Sequence, residues 1–124
     1  NRLVLEVLEP RNDGEVDSAS QIEGRVVIEK GAVIKGSRIR GPVVIGSGSV
    51  VDHSYIGPYT SLGRNCKVEH SEMEHSVVLD GSSIIGIARL TDSLIGRDVA
   101  VTRSEQKPRA LRLMLGDDSK VELE

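Results

Sequence analysis

The sequence has almost no aromatic side chains. Its 124 residues include no Phe and no Trp, and the only tyrosines are Tyr55 and Tyr59. An ordinary globular core uses large rings to fill its volume. A core made of Ile, Val and Leu instead needs a regular cross-section in which similar side chains stack. The scarcity of rings therefore indicates a repeat architecture.

Other absences narrow the class of protein. Cys66 is the single cysteine, which excludes an internal disulfide and is typical of a reducing compartment, taken here as the cytoplasm. No apolar run approaches the roughly 20 residues of a membrane span. The net charge of −3 mixes both signs, so neither nucleic acid nor a membrane is an expected partner. The start at Asn1, without Met or a signal peptide, indicates a fragment of a longer protein.

What the chain has instead is a ladder of aliphatic residues that recur every six or five positions. An α-helix, with about 3.6 residues per turn, drifts off any face within two such steps. A short strand followed by a corner fits the spacing. The rungs are Ile22, Ile28, Ile34, Ile39, Ile45, Val51, Ile56, Leu62, Val68, Met73, Val78, Ile84, Leu90, Ile95 and Val101.

A small residue lies two positions before every rung, where it shares the inward face of the strand. These small inward positions are Ser20, Val26, Ala32, Ser37, Val43, Ser49, Ser54, Thr60, Cys66, Ser71, Ser76, Ser82, Ala88, Ser93 and Val99. Each five-residue step has a serine there, which predicts a tightened corner that keeps the register. Glycine follows four rungs, and a positive φ is expected at these corners. They are Gly46, Gly57, Gly63 and Gly96.

Every third rung is spaced by 17 residues from Ile22 to Leu90. The spacing predicts about five three-sided coils whose strands pair in parallel, about 4.8 Å apart. The ladder breaks at Lys107-Pro108. We therefore expect residues 1–18 to be the end of an interdomain linker, residues 19–106 a parallel β-helix, and residues 107–124 a C-terminal cap over the last coil.

The hexad at residues 56–62 (IGPYTSL) resembles the hexapeptide-repeat left-handed β-helix, and left-handedness is implied by that resemblance alone. An ordered set of segments is more specific. GEVD at 14–17, EGRVVI at 23–28, RGPVVIG at 40–46, SYIGPYT at 54–60, EMEHSVVL at 72–79 and LMLGDDS at 113–119 are similar to the C-terminal domain of long-form glucose-1-phosphate thymidylyltransferases. The resemblance covers nearly the whole chain.

The resemblance implies a parent enzyme that makes dTDP-glucose from glucose 1-phosphate and dTTP with Mg²⁺. In this family the nucleotide loop and the metal-binding carboxylates lie in an N-terminal domain, and this sequence contains neither. We therefore assign no catalytic, cofactor-binding or metal residue. The chain is expected to serve oligomer assembly and stability, with regulation left open, and to pair with its own nucleotidyltransferase domain. The alternative is an acetyl-CoA-dependent acyltransferase that acts on a sugar nucleotide. Against it, the segment 88–93 lacks the expected His, and the ladder has no inserted loop.

Several polar residues are candidates for a binding site or a metal site. His53 and His70, 17 residues apart, should stack on adjacent coils, as a partial metal site or as an outward polar ladder with His75. Cys66 is interpreted as a buried core thiol. The pairs Asp80 with Asp92 and Asp117 with Asp118 are interpreted as turn residues. The last set is a basic cluster that offers either a phosphate site or a solvated cap surface. It comprises Lys107, Arg109 and Arg112.

One outward side is mostly apolar. On the second side of each coil, the outward residues directly before the rungs are Val27, Val44, Ser61, Val77 and Leu94. A solvated apolar stripe of that length is unusual. The sequence therefore predicts an interface through which copies of the chain associate, with a trimer expected from the resemblance. The C-terminal segment with Leu111, Leu113 and Leu115 is the alternative cover for this stripe.

Overall fold

The computed structural model describes residues 9–103 and 111–113 of the chain. In these residues all regular structure is β-strand, separated by turns. In chain order the strands are β1 Arg11–Asn12, β2 Glu15–Val16, β3 Gln21–Glu23, β4 Val26–Ile28, β5 Val33–Lys35, β6 Arg38–Arg40, β7 Val43–Ile45, β8 Val50–Asp52, β9 Tyr55–Ile56, β10 Thr60–Leu62, β11 Lys67–Glu69, β12 Glu72–Glu74, β13 Val77–Val78, β14 Ser83–Ile85, β15 Leu90–Thr91, β16 Leu94–Ile95, β17 Ala100–Arg103 and β18 Leu111–Leu113.

The strands form three sheets, and each sheet takes every third strand of the chain. Sheet A has the order β1-β4-β7-β10-β13-β16, sheet B the order β2-β5-β8-β11-β14-β17-β18, and sheet C the order β3-β6-β9-β12-β15. All pairings are parallel except the last one in sheet B. The chain is thus a three-sided β-solenoid of about five turns, which confirms the predicted all-β fold of stacked coils.

The predicted rungs form the core of the solenoid. From Ile28 to Val101 each rung side chain is at most 2% exposed. The register places rung on rung, for example Ile39 beside Ile56 in sheet C. The exception is Ile22, which is 39% exposed. Its strand β3 is the edge of sheet C and has a neighbour on one side only, so the predicted inward position of Ile22 is not covered.

The serines at the tight corners join successive coils through their hydroxyl groups. Ser54 Oγ donates to the carbonyl oxygen of Asp52 at 2.8 Å. Ser54 Oγ also accepts the backbone N–H of Ser71 at 3.2 Å. Ser37 makes the equivalent bonds to Lys35 and Ser54. Each hydroxyl therefore satisfies one buried donor and one acceptor, which explains why the five-residue steps have serine.

One small inward position differs from the prediction. Ala88 is exposed, and Ile87, which is 7% exposed, takes the inward place instead. The backbone N–H of Ile87 donates to Ser71 Oγ at 2.9 Å, as a corner serine does elsewhere. The step from Ile84 to Leu90 has six residues, whereas the equivalent steps on earlier coils, such as Val68 to Met73, have five, and the extra residue lies after Ile87 as a local bulge. Spacing shows that this step is longer, but not on which side of the inward residue the extra residue lies.

The glycines after the rungs also have a different role from the predicted one. Gly46, Gly57, Gly63 and Gly96 are absent from the positions with positive φ. A Cβ at Gly46 would instead collide with the carbonyl oxygen of Gly63 on the next coil. The positive φ occurs nearer the end of each corner, at residues such as His53 and Asn65. Gly46, Gly57 and Gly63 are therefore required by the close approach of the next coil.

Strand pairing begins and ends outside the ladder of rungs. β1 pairs with β4, and β2 pairs with β5, so residues 11–16 already take part in the solenoid before the predicted boundary at residue 19. At the other end β18 pairs antiparallel with β17, which covers part of the exposed edge of sheet B. The linker and cap roles of residues 1–18 and 107–124 stay predictions. The described part of the chain contains no helix long and apolar enough to cross a membrane.

A carboxylate completes the first corner between sheets B and C. In later coils the corner N–H donates to a carbonyl of the preceding coil, as His53 does to Lys35 at 2.9 Å. At Gly36 the N–H donates to both carboxylate oxygens of Asp17 at 3.1 Å, and the Ser20 hydroxyl donates to the same group at 2.6 Å. The hydrogen bond from Ser20, followed by the one from Gly36, holds the pKa of the Asp17 carboxyl below its ordinary value.

The corner hydroxyls predict a measurable cost for Ser54→Ala. The change removes the acceptor of the buried Ser71 N–H, and an unpaired buried donor costs about 1–3 kcal/mol of unfolding free energy. Urea unfolding of the 124-residue chain measures the loss. Ser83→Ala, on the outward face of β14 in sheet B, is the control and should change stability by less than about 0.5 kcal/mol. Equal effects of the two changes would contradict the role of the hydroxyl.

Asp17 predicts a dependence of stability on acid pH. Because its pKa in the folded chain is lowered, its stabilising effect is complete above the unfolded value of about 3.9 and is lost as pH falls through the lower folded value. Asp17→Asn should therefore flatten the stability profile in that acid range, while Glu9→Gln should leave it unchanged. Thermal unfolding at a series of pH values tests this, and an unaltered profile for Asp17→Asn would contradict it.

Candidate functional site

The five residues of the predicted interface lie in one row on sheet A. Val27 pairs with Val44, Val44 with Ser61, Ser61 with Val77, and Val77 with Leu94. They alternate with inward core residues, so the row lies on the outer face of the sheet. Val27 is 9% exposed, and the other four are half-buried. The structure brings the predicted residues together, and their role as an interface stays a prediction.

The alternative cover for this row lies elsewhere. Strand β18 extends sheet B at its last strand, so residues 111–113 are at the end of another side of the solenoid. Leu115 is outside the described residues. The Arg112 backbone pairs with Thr102 in the same ladder. Lys107 and Arg109, the rest of the predicted basic cluster, are also outside the described residues.

The stack of His53 and His70 is confirmed. Their ring centroids are 5.3 Å apart with an angle of 13° between the planes. Both residues have a positive φ at the corner between sheets B and C. His53 Nδ1 lies 2.5 Å from a carboxylate oxygen of Asp52, which orients the first ring. His75 lies at a different corner, where its ring contacts Tyr59 at 5.4 Å.

A groove of about 550 Å³ runs along the corner with the two stacked histidines. It extends over several coils and onto the outer face of sheet C, where Arg38, Tyr55 and Glu72 line it. Arg38 also forms an exposed ion pair with Glu23 at 3.2 Å. The groove therefore combines imidazole, phenol, guanidinium and carboxylate groups along one edge of the solenoid.

Sequence reasoning missed Asp52 and the groove. Asp52 precedes His53 directly, but an Asp-His neighbour pair is common in turns and by itself predicts no contact. The described residues include no group of three His, Cys, Asp or Glu side chains placed to hold a metal ion. In segment 88–93, where acetyl transfer would require a His, Arg89 forms an ion pair with Glu74 at 2.6 Å, and Asp92 is a corner residue with positive φ.

Of the remaining candidate residues, Cys66 is buried in the core, and Asp80 and Asp92 lie at corners. Cys66 is 2% exposed, and its thiol lies 3.2 Å from the carbonyl oxygen of Leu79. Burial raises the pKa of the Cys66 thiol, so the reactive thiolate is disfavoured. The Asp80 carboxylate accepts the N–H of Arg64 at 2.9 Å in a corner. Asp80 and Asp92 follow different strands at different corners. Asp117 and Asp118 are outside the described residues.

Comparison with known proteins gives a match over the whole chain. A glucose-1-phosphate thymidylyltransferase of Streptomyces griseus is 54% identical over 123 residues, which are 99% of this chain and 35% of that protein. A glucose-1-phosphate thymidylyltransferase of Streptomyces antibioticus is 52% identical over 124 residues, which are 100% of this chain and 35% of that protein. The predicted resemblance is confirmed. No protein-family model matches the chain.

The extent of the match limits what it shows. The chain spans about a third of the length of the curated relatives it matches, and the match is to their C-terminal third. A match to this third alone does not show that the chain has the activity of the longer relatives.

Proposed function

We propose that this chain is the β-helix module of a glucose-1-phosphate thymidylyltransferase, where it serves assembly and stability. The observation that carries the proposal is the match of the entire chain to one third of two such enzymes. In the parent, thymidylyl transfer to glucose 1-phosphate with Mg²⁺ takes place outside this module. The described residues offer no carboxylate set suited to Mg²⁺, so no step of the transfer is assigned to them.

The architecture supports an assembly role. The coils are joined by parallel backbone hydrogen bonds and by the buried rungs, so each side of the solenoid presents a stiff, regular surface. Sheet A presents its apolar row on such a surface, and two copies placed side by side would remove that area from water. Self-association through sheet A, most simply in a trimer, is the form of assembly proposed.

Val44→Lys tests the assembly face. The ammonium group would be buried without a partner at the centre of the proposed contact, so the native mass should fall from a multiple of 13.4 kDa to that of one chain. Val50→Lys is the matched control. Val50 is a half-buried outward valine on the next strand of the same coil, in a row that already contains Lys67. Light scattering after gel filtration measures both, and an unchanged mass for Val44→Lys would contradict the proposal.

A domain exchange tests the role in the parent enzyme. Three proteins are compared with this chain alone. They are the first two thirds of the Streptomyces griseus relative alone (the truncated enzyme), the intact relative, and a chimera in which those two thirds are joined to this chain. Pyrophosphate release from dTTP and glucose 1-phosphate, together with native mass, is measured for each. The chimera should restore the mass and thermal stability of the intact relative, while this chain alone should release no pyrophosphate. A truncated enzyme that matches the intact one in mass and stability would refute the assembly role.

One observation favours the alternative acyltransferase. Asp52 orients His53 beside an open groove, and an oriented imidazole is suited to remove a proton from an acceptor amine or hydroxyl. Calorimetric titration of the chain with acetyl-CoA separates the two functions. Saturable heat at about one site per chain would favour acyl transfer if AMP, which has the adenine base but no acyl-bearing arm, gives no comparable heat. An absence of heat at millimolar acetyl-CoA would favour the assembly module over the acyltransferase.

A further inference from the structure

Side chains at the corners with positive φ lean toward the preceding coil. Ring atoms of His53 lie 3.1–3.5 Å from the position that a Cβ on Gly36 would take. The same direction occurs at the corner between sheets A and B, where the Asn65 amide lies over Gly48 and the Asp98 carboxylate lies over Gly81. A repeated direction at two corners indicates that the stacking of coils sets it.

His53 and His70 use this geometry to form a stack of rings. His53 lies over Gly36, and His70 lies over His53 with nearly parallel ring planes and ring centroids 5.3 Å apart. Asp52 holds the first ring through Nδ1. The ring faces are therefore directed along the stack of coils, and a further ring added in the same direction would continue the series.

The next coil leaves room for such a ring. The equivalent corner residue is Gly86, with a φ of 69°. No atom of the described residues lies within 4 Å of the position that its Cβ would take. The bulge at Ile87 and Ala88 follows directly, and exposed Ala88 lines the groove without filling it. Bulges often re-aim side chains beside binding sites. Among the described residues, none occupies the space beside Gly86, on the side of His70 that is turned away from His53.

We propose that this space binds the aromatic base of a nucleotide, which stacks on His70. A groove of about 550 Å³ is within the range of small-molecule sites, which is about 300–1,000 Å³. Imidazole and a heteroaromatic base prefer offset parallel stacking. Glu72, beside His70, provides a carboxylate that accepts amino or imino N–H groups of a base.

The charges along the groove orient the nucleotide. Glu72 repels phosphate at the end of the groove where the base stacks. Arg38 lies two coils toward the N-terminus, roughly 10 Å away at the spacing of parallel strands. That distance is within reach of a phosphate attached to a stacked nucleoside, and the exposed Arg38 guanidinium can leave Glu23 to bind it. The base site does not depend on the proposed assembly role, since sheet A is a different side of the solenoid.

Histidine-detected NMR of the full 124-residue chain tests the proposal. AMP at millimolar concentration should move the ring protons of His70 upfield by ring-current shielding, with smaller shifts at His53 and none at His75. Inorganic phosphate and ribose 5-phosphate are the controls without a base. An absence of ring-current shifts at His70 with AMP, or equal shifts with phosphate alone, which would mean an adventitious ion only, overturns the proposal.

Matched substitutions separate stacking from folding. His70→Asn removes the ring but suits the positive φ, as Asn65 does at another corner. His75→Asn makes the same change at a corner outside the groove. His70→Asn should weaken AMP binding by about tenfold or more, and His75→Asn should leave it unchanged. Binding is also measured with Glu72→Gln, which keeps the ring stack. AMP affinity that survives in His70→Asn overturns the proposal, and if that variant does not fold, the ring-current result in the unaltered chain decides.

Discussion

The serine hydroxyls at the tight corners hold adjacent coils in one register. Ser37, Ser54, Ser71 and Ser76 each accept an N–H from the next coil and donate to a carbonyl two residues back, as Ser54 does between Ser71 and Asp52. A slip of one residue would leave the N–H and the carbonyl unpaired in the interior and would turn every rung outward. The stacked aliphatic core, the rows on the outer faces and the pairing of His53 with His70 all depend on that register.

The same constraint explains how the protein folds without large rings. Fourteen of the fifteen rungs are at most 2% exposed, although none is aromatic. A fixed coil spacing lets Ile, Val and Leu side chains fill a constant cross-section, so packing density does not require Phe or Trp. The cost of this arrangement is strict geometry at the corners. Gly46 must have no Cβ, because the carbonyl oxygen of Gly63 on the next coil occupies that place.

The two candidate surfaces lie on different sides of the solenoid. Sheet A presents an apolar row that is suited to another copy of the chain, while the corner between sheets B and C presents stacked imidazoles and a polar groove. The two surfaces belong to different sheets, so association through one leaves the other accessible. The proposed assembly contact and the proposed base site can therefore be tested separately.

The sequence by itself determined the coil length, the three sides, the inward rungs and the row of five outward residues on sheet A. These depend on local periodicity, because inward and outward positions alternate along each short strand. Only the tertiary structure decided the place of the bulge at Ile87, the exposure of Ile22 and the reason for glycine at Gly46. The same holds for the contact between Asp52 and His53 and for the open space at Gly86. Each of these depends on how one coil contacts the next, and residue spacing along the chain does not specify the distances between atoms of adjacent coils.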